Sequence, residues 1–293
     1  MDPLEDSSNS SKGRLFVVGT PIGNLEDITL RAIRILKEVD LIACEDTRRT
    51  QDLLNHYQIR TPTISYHEHN EMTRAPELVI KLEEGNNIAL VSDAGMPVVS
   101  DPGFRLVHLA VRHSIPVVPV PGASAFVAAL AASGMPVDKF RFLGFLPSKK
   151  AARRKALEEQ QTSTKTLVFY EAPHRLLEML RDMRDILGER EVVLAREVTK
   201  VHEEFLRGTV SALLERLKGK TIRGEMTLLV GGASASEETR TANLLIQPEI
   251  EKLMAERGLD QRAALKAAAK ALGISRSEAY RRLQSEKTKP RQT

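Results

Sequence analysis

The fold is decided by the stretch Arg14-Leu-Phe-Val-Val-Gly-Thr-Pro-Ile-Gly-Asn24, near the start of this chain of 293 residues. A short apolar run, which predicts a strand, passes directly into a loop of glycine and proline, and a helical pattern follows. Proteins with alternating strands and helices bind ligands on loops at the carboxyl ends of their strands, and this loop has that position. It lacks the G-x-G-x-x-G spacing, so an ordinary dinucleotide site is not favoured.

Two later segments repeat the same arrangement of strand and loop. They are Val91-Ser-Asp-Ala-Gly-Met-Pro-Val-Val-Ser-Asp-Pro-Gly103 and Val120-Pro-Gly-Ala-Ser124. Loops that follow parallel strands meet at one edge of the sheet. The sequence therefore predicts a specific ligand cleft built from these three loops.

The order of apolar runs predicts an α/β protein with two α/β domains and a helical tail. Strands and helices alternate through residues 13–146, as expected for a largely parallel sheet covered on both faces. Residues 147–232 predict a smaller second domain with a mixed sheet, because two strands follow one another there without a helix. Residues 1–12 predict a disordered tail, and residues 233–293 predict a linker and a basic tail that resembles a helix-turn-helix.

Local patterns predict finer features of this fold. The run Phe140–Phe145 predicts the last strand of the first domain, and Asp27 is expected to cap the first helix. Cys44, the single cysteine, lies in an apolar run that predicts a buried structural thiol and excludes an internal disulfide framework. No apolar run reaches the length of about 20 residues that spans a bilayer. We expect a soluble cytoplasmic protein.

The net charge of +4 is unevenly distributed. From residue 240 onward there are 12 Lys and Arg against 6 Asp and Glu, whereas the remainder is slightly acidic. A basic tail is typical of proteins that bind polyanions, although a solvated helix face explains part of the excess. The last helix would present Arg276 and Arg281 to a nucleic acid. A small packing or dimerising bundle is the alternative.

A series of short motifs runs through residues 13–232. In order they are Gly19-Thr-Pro-Ile-Gly-Asn-Leu25, Glu45-Asp-Thr-Arg48, His67-Glu-His-Asn-Glu71, Ser92-Asp-Ala-Gly95, Phe142-Leu-Gly-Phe-Leu-Pro147, Phe169-Tyr-Glu-Ala-Pro-His-Arg175, Ala195-Arg-Glu-Val-Thr-Lys200 and Gly224-Glu-Met226. With these motifs the chain resembles the tetrapyrrole (corrin/porphyrin) methylase superfamily. It is more closely similar to the branch that methylates a ribose 2′-hydroxyl of 16S ribosomal RNA, the small-subunit methyltransferase I family. Met96 and Ala123 depart from the family pattern, which has threonine and frequently proline there.

The resemblance implies two α/β domains with S-adenosylmethionine folded in the cleft between them. This cofactor offers an adenine, a carboxylate, an ammonium and a sulfonium, which suit loops of small residues with exposed backbone. Asp93 would hold the ribose or the ammonium, with a turn-capping role as the alternative, and Met226 is more typical of a core methionine. The residues expected at the cofactor are Pro21, Ile22, Gly23, Ser92, Asp93, Ala94, Gly95, Ser124, Ala125, Tyr170, Glu171, Ala195 and Met226.

Methyl transfer to a hydroxyl is an in-line displacement on an activated methyl group. Orientation can supply about 7–11 kcal/mol of the barrier, whereas a general base contributes about 10²–10⁴-fold. The candidates for this base are Glu45, Asp46, His67, Glu71 and Lys200. His67 and His69 would share one face of an extended strand, but no companion cluster has metal-ligand spacing, so no metal is expected.

The implied substrate is 16S ribosomal RNA in the 30S subunit, and the implied target is cytidine 1402 of the decoding centre. The low aromatic content of 4% favours recognition of phosphates and shape over base stacking. One nucleotide would then turn into the cleft. The resemblance also implies a homodimer. The residues expected at the RNA are Arg48, Arg49, Lys149, Lys150, Arg153, Arg154, Arg276 and Arg281, with a solvated helix face as the alternative for residues 149–155.

Two alternative functions remain open. One keeps S-adenosylmethionine and changes the substrate to a tetrapyrrole or a protein residue, which would not need the basic segments. The other is a helix-turn-helix regulator whose α/β part senses a small ligand. That protein would bind duplex DNA with its tail and transfer no methyl group.

Overall fold

The computed structural model describes residues 12–233, 246–271, 279–281 and 283–284. The first of its two sheets contains β1 Leu15–Val18, β2 Leu41–Cys44, β3 Thr63–Ser65, β4 Ile88–Val91 and β5 Val117–Val120. Its helices are α1 Leu30–Glu38, α2 Thr47–His56, α3 Glu71–Glu83, α4 Phe104–Arg112 and α5 Ala125–Ser133. The strand order is β3-β2-β4-β1-β5 and all neighbours pair in parallel, which confirms the predicted α/β fold with a parallel first sheet.

The second sheet is mixed, as predicted. Its strands are β6 Phe140–Phe145, β7 Thr166–Glu171, β8 Glu191–Arg196, β9 Glu204–Thr209 and β10 Met226–Val230. Its helices are α6 Lys150–Glu158, α7 Leu176–Leu187 and α8 Val210–Leu217. The strand order is β6-β7-β10-β8-β9, with β6 parallel to β7 and the other neighbours antiparallel.

One strand lies in a different sheet from the one predicted. Phe140–Phe145 pairs with Thr166–Glu171 and forms the edge of the second sheet, whereas the sequence pattern assigned it to the first domain. Helix α5 precedes this strand and packs Ala129 and Leu130 against Val168 of the second sheet. The chain therefore crosses between the sheets through α5, before residue 140.

The central strands and the first helix show how local sequence produces this architecture. Strands β1 and β4 are buried along their whole length, as continuous apolar runs at the centre of a parallel sheet should be. Helix α1 is capped by Thr29, whose side chain accepts a hydrogen bond from Ala32 N at 3.1 Å. The predicted cap, Asp27, is wrong, because it ends a short 3₁₀ helix, Leu25–Asp27, that precedes the cap.

Two helices of the predicted basic tail fall within the described residues. They are α9 Ile246–Arg257 and α10 Gln261–Ala271, and Asp260 caps the second by accepting from Ala263 N at 2.7 Å. Their apolar side chains pack together with Ala279 and Leu283. All but the last residue of the predicted N-terminal tail, most of the linker and the turn containing Arg276 lie outside the described residues. No helix in the described part of the chain is long and apolar enough to cross a membrane.

Candidate functional site

A cavity of about 900 Å³ lies between the two sheets at the carboxyl ends of β1, β4 and β5. The first domain lines it with Ile22, Ala94, Gly95, Met96, Val99, Ser100, Asp101, Pro119, Pro121, Gly122 and residues 124–128 and 131. The second sheet and its loops line it with Phe145, residues 170–173, Ala195, Val198 and residues 224–227. The wall is mostly apolar, with polar groups at a few positions, as in many small-molecule sites.

Backbone contacts hold the three predicted loops together. Thr20 N donates to Gly95 O at 2.9 Å and Gly95 N donates to Thr20 O at 3.1 Å, which joins the loops after β1 and β4. Gly19 and Gly122 join the loops after β1 and β5, because a Cβ at Gly122 would lie 2.8 Å from the backbone of Gly19. Such an approach is open only to glycine. The predicted meeting of the three loops is therefore present in the structure.

The loop after β4 has unusual backbone geometry. Val98 and Ser100 have φ angles of 78° and 66°, and Gly103 has a φ of 139°. A β-branched residue rarely adopts the left-handed region, and such strain persists only where the surrounding structure enforces it. This conformation places Val99, Ser100 and Asp101 at the cavity wall.

The wall on the side of the second sheet contains an unsatisfied acceptor. Glu171, at the end of β7, is 2% exposed, and its Oε1 accepts from Ala172 N at 2.8 Å. Arg175 Nε lies 3.3 Å from the same oxygen. The second oxygen, Oε2, is buried and has no hydrogen-bond partner. A buried carboxylate oxygen without a donor is costly, so it favours a ligand that brings an N–H or O–H group.

Most of the residues expected at the cofactor line this cavity. They are Ile22, Ala94, Gly95, Ser124, Ala125, Tyr170, Glu171, Ala195 and Met226. The expected residues Pro21, Gly23, Ser92 and Asp93 are not among the lining residues. Asp93 Oδ1 accepts from Asp46 N at 3.0 Å, and its Oδ2 lies 3.3 Å from Arg49. Asp93 therefore connects the loop after β4 to the loop after β2, and it stays a predicted ligand contact.

Two of the five candidate bases are held by ion pairs. Asp46 caps α2 and pairs with Arg48 at 2.8 Å, and hydrogen bonds from Arg48 lower the pKa of Asp46 to about 2. Lys200 Nζ donates to Glu197 at 3.0 Å and to Glu225 at 3.1 Å. Burial opposes the charge on Lys200, but these two carboxylates raise its pKa above the ordinary value. A low carboxylate pKa and a high lysine pKa both disfavour service as a base near neutral pH.

The other three candidates lie along the ends of β2 and β3. Burial, reinforced by the charge of Asp93, raises the pKa of Glu45. His67 lies 3.3 Å from the Asn70 amide through Nε2, and its buried Nδ1 has no hydrogen-bond partner. Glu71 is the first residue of α3. The cavity-lining residues include none of these three, and the described residues contain no group of three or more His, Cys, Asp or Glu able to hold a metal.

Two arginines of the basic helix α6 do not form the exposed basic surface that the charge of this helix suggests. Arg153 is 2% exposed and donates to Asp182 at 2.8 Å and to Glu178 at 3.3 Å. Arg154 donates to the other oxygen of Asp182 at 2.7 Å. Both arginines therefore connect α6 to α7, and we leave both of them out of the proposed RNA surface.

The remaining basic residues keep exposed side chains where the structure describes them. Arg48 and Arg49 are exposed on α2 although each pairs with an aspartate. Lys149 and Lys150 are exposed at the start of α6, and Arg281 is exposed in the tail. Arg276 lies outside the described residues. A role in RNA binding stays a prediction for this set.

Sequence reasoning did not select several residues of the cavity wall. Asp101 lies within the quoted loop Val91–Gly103, but only the first acidic position of that loop was singled out. Phe126 and Phe145 extend an aromatic group around Tyr170, whose ring centroid is 5.5 Å from that of Phe145. Chain spacing gave no signal for this group, because Phe145 meets Tyr170 through the pairing of β6 with β7, and Phe126 joins them only through the packing of α5 on the second sheet.

Comparisons with known proteins agree with this geometry. The family model of tetrapyrrole (corrin/porphyrin) methylases matches residues 14–214. A protein of Halalkalibacterium halodurans named ribosomal RNA small subunit methyltransferase I is 50% identical over 92% of this chain and 94% of its own length. The protein of that name from Escherichia coli O157:H7 is 47% identical over 94% of this chain and 96% of its own.

Solved structures of low identity share the fold. Cobalt precorrin-4 methyltransferase is 19% identical, with a TM-score of 0.57 over 74% of this chain and 94% of its own. Uroporphyrin-III C-methyltransferase from Thermus thermophilus is 21% identical, with a TM-score of 0.54 over 75% of this chain and 94% of its own. The chain belongs to the tetrapyrrole methylase superfamily and, within it, to the ribosomal RNA small subunit methyltransferase I family.

Proposed function

We propose that the protein transfers a methyl group from S-adenosylmethionine to a ribose 2′-hydroxyl of 16S ribosomal RNA, with cytidine 1402 as the target. The observation that carries the proposal is identity of 47–50% to proteins named as small-subunit ribosomal RNA methyltransferases, over more than nine-tenths of the chain. The cavity between the sheets offers a site large enough for a cofactor and a nucleotide. The position of the target nucleotide and the choice of the 2′-hydroxyl rest on the resemblance.

The residues at the cavity fit S-adenosylmethionine. The orphaned Oε2 of Glu171 matches an amino or ammonium group, and the apolar wall with Met226 matches an adenine ring. The loops around Gly95 and Gly122 bring backbone groups to the opposite wall, where a carboxylate or ribose can be held. When bound, the cofactor supplies a methyl group already activated by a positive sulfur.

The chain's own contribution is to orient two molecules and exclude water. The clamped loops of the first sheet fix one wall, and the second sheet, with Tyr170 and Phe145, supplies the other. For a displacement of this kind, alignment of the methyl donor with the acceptor hydroxyl contributes the larger part of the lowering of the barrier. The strained loop at Val98–Ser100 holds its side of the cavity in one conformation.

The partner surface follows from the exposed basic residues. We propose that Arg48, Arg49, Lys149 and Lys150, together with the tail, contact phosphates of the 30S subunit. We also propose a cytoplasmic homodimer, and sedimentation equilibrium should then give twice the chain mass. The exposed apolar side chains of Phe104 and Val111 on α4 offer one face for the second copy.

The test uses radiolabelled S-adenosylmethionine and 30S subunits from cells that lack this enzyme. Label in the 2′-O-methyl group of cytidine 1402 is the expected result, with subunits from wild-type cells, already modified, as the control. Label at another ribose would correct the target alone. Absence of label in subunits and in free 16S RNA, despite cofactor binding, would favour the small-molecule methylase instead.

A further inference from the structure

Phe145 is an exposed aromatic ring at the wall of the cavity. Within the part of the chain that the structure describes, three aromatic side chains line the cavity, namely Phe126, Phe145 and Tyr170. Phe126 and Tyr170 are partly buried, whereas Phe145 is 56% exposed. Phe140, on the same strand, is 43% exposed but does not line the cavity. Phe145 therefore offers a largely exposed ring to a ligand in the cavity.

A β-bulge turns Phe145 toward the cavity. Phe142 pairs with Val168 and Phe145 pairs with Tyr170, so β6 advances by three residues where β7 advances by two. Because side chains alternate along a strand, Phe145 would otherwise point away from the face that carries Phe142. The extra residue places Phe142 and Phe145 on one face, together with Tyr170. Bulges redirect side chains in this way beside functional sites.

The rings beside Phe145 are packed in a continuous group. The ring centroid of Tyr170 lies 5.5 Å from that of Phe145 and 5.2 Å from that of Phe142. Phe142 in turn stacks on Phe126 of α5, with centroids 4.4 Å apart and an interplanar angle of 28°. Phe145 is therefore carried by a strand and supported by packed neighbours. Such a support suits a ring that must meet a ligand in one position.

Two exposed lysines follow Phe145 in the chain. They are Lys149 and Lys150, at the start of α6. Arg175 fixes the segment before them, because its Nη2 donates to Leu146 O at 2.7 Å. Four residues of extended chain span at most about 14 Å, so the backbone of Lys149 lies within that distance of Phe145. An aromatic ring with cations beside it is the combination by which proteins bind unstacked nucleotides.

We propose that Phe145 stacks on the base of the nucleotide that is methylated, while Lys149 and Lys150 contact the phosphates beside that nucleotide. The inference depends on the proposed function, because it requires a ribonucleotide as substrate. An enzyme that modifies one nucleotide of a folded RNA turns it out of its stack, so the base loses its neighbours. Phe145 replaces that lost stacking. Because every base has a π-face, this contact positions the nucleotide and does not select cytidine.

The test compares Phe145→Leu, which removes the ring and keeps an apolar side chain, with Phe140→Leu on the same strand outside the cavity. Single-turnover methylation of unmodified 30S subunits is measured at several concentrations of enzyme in excess. The series separates the limiting rate from the half-saturating concentration. Binding of S-adenosylhomocysteine is measured by calorimetry, and both variants should bind it within about threefold of the wild type, which also shows that they fold.

Phe145→Leu should lower the limiting rate by about 5- to 150-fold, the range expected for the loss of one stacked base. The loss belongs in the limiting rate because phosphate contacts still hold the subunit, whereas fewer bound subunits have their nucleotide in the cavity. Phe140→Leu should stay within about threefold of the wild type. Phe145→Tyr keeps a ring of the same size and should also stay within that limit.

The lysines predict a different pattern. The double variant Lys149→Gln/Lys150→Gln should raise the half-saturating concentration, because it weakens binding of the subunit. Its slope of log K against log salt should fall by roughly two units, one for each phosphate contact. A slope equal to that of the wild type would remove the lysines from the proposed contact.

Photocrosslinking identifies what covers the ring. The amino acid p-azidophenylalanine replaces Phe145 or Phe140, and each protein is irradiated with unmodified 30S subunits and S-adenosylhomocysteine. From position 145 the crosslink should map to the nucleotide that the wild type methylates, whereas position 140 should not reach it. A crosslink from position 145 to another segment of RNA, or to a second copy of this chain, overturns the proposal.

The kinetic outcomes decide the matter in the same way. A loss of less than about fivefold in Phe145→Leu, or an equal loss in Phe145→Tyr, overturns the stacking role. A loss confined to the half-saturating concentration places the ring on a general docking surface and overturns it as well. A matching loss of affinity for S-adenosylhomocysteine makes Phe145 a cofactor contact instead. If the wild type methylates no ribosomal RNA, the proposed function itself fails, which is distinct from normal methylation by Phe145→Leu.

Discussion

Glu171 combines deep burial with an oxygen that has no hydrogen-bond partner. If that oxygen accepts from the cofactor, Glu171→Gln keeps the shape and removes the charge. Hydrogen bonds to charged groups contribute about 1.5–3 kcal/mol, so affinity for S-adenosylhomocysteine should fall by about 10- to 150-fold. Calorimetry measures the change directly.

The control for Glu171→Gln is Glu215→Gln, whose side chain is 75% exposed and lies on α8 away from the cavity. Glu215→Gln should bind S-adenosylhomocysteine with the affinity of the wild type. Equal affinity in both variants would mean that the Glu171 carboxylate does not contact the cofactor. Thermal melts separate a loss of affinity at the site from a loss of folding caused by the missing partner of Arg175.

Asp182 neutralises a buried arginine. It accepts from Arg153 at 2.8 Å, and both side chains are at most 4% exposed. Asp182→Asn leaves the buried Arg153 charge with only the exposed Glu178, 3.3 Å away, as a partner, which should lower the free energy of unfolding by about 3–5 kcal/mol. Asp185→Asn removes a half-exposed partner of Arg154 and should cost under about 1 kcal/mol. Urea unfolding at pH 7 compares the two variants, and equal losses would contradict the assignment.

The same carboxylate makes stability depend on pH. Burial opposes its charge, but the hydrogen bonds from Arg154 and Arg153 prevail and lower the pKa of Asp182 below its ordinary 3.8. A lowered folded pKa adds stability that is complete above the unfolded value and is lost as pH falls through the folded value. The difference in unfolding free energy between wild type and Asp182→Asn should therefore shrink below about pH 4. A constant difference from pH 7 to pH 3 would exclude this linkage.

Helix α6 shows that the sequence of a helix indicates which of its faces is buried but does not identify the partner on another helix. Arg153 and Leu157 are four residues apart, so they share one helix face, and both are buried. The charge of the segment predicted an exposed basic surface. The spacing of Arg153 and Leu157 instead indicated a buried face. The carboxylate that makes burial of Arg153 possible, Asp182, lies on another helix. Pairing between distant elements cannot be read from local spacing.

Strand β6 illustrates the same limit for sheets. Its apolar run predicted the strand with the observed bounds, Phe140–Phe145. Its sheet depends on the partner strand, Thr166–Glu171, and on the path of α5 across the molecule. The meeting of the three loops of the first sheet could be predicted from the sequence, because the carboxyl ends of parallel strands lie at the same edge of a sheet. Asp101 and Phe126 were missed because their approach to the second sheet is a tertiary contact.

The contact between the loops after β1 and β5 can be tested with one methyl group. Gly122→Ala places a Cβ 2.8 Å from the backbone of Gly19, so one loop must move. We expect a loss of affinity for S-adenosylhomocysteine of at least about tenfold, because both loops form the cavity wall. Gly231→Ala is the control, since its Cβ would be 3.5 Å from the nearest atom. Wild-type affinity in Gly122→Ala would show that the wall tolerates the shift.

In the whole molecule, the ligand cavity and the basic tail are formed by different parts of the chain. The tail helices α9 and α10 pack their apolar side chains on each other and on Ala279 and Leu283. Among the residues that the structure describes, those that line the cavity all fall between 22 and 227. Deletion of residues 234–293 should therefore leave the affinity for S-adenosylhomocysteine unchanged.

Binding of the deletion variant to 30S subunits should weaken, and its dependence on salt should weaken too. The slope of log K against log salt falls by roughly one unit for each phosphate contact that is lost. The full-length double variant Arg276→Gln/Arg281→Gln removes two charges and keeps the whole tail. It should therefore reproduce part of the weaker salt dependence seen in the deletion variant. If both variants keep the wild-type slope, the tail does not bind phosphate. The basic residues of α2 and α6 would then have to supply the whole electrostatic attraction, and a small packing or dimerising bundle would be the better interpretation of the last helices.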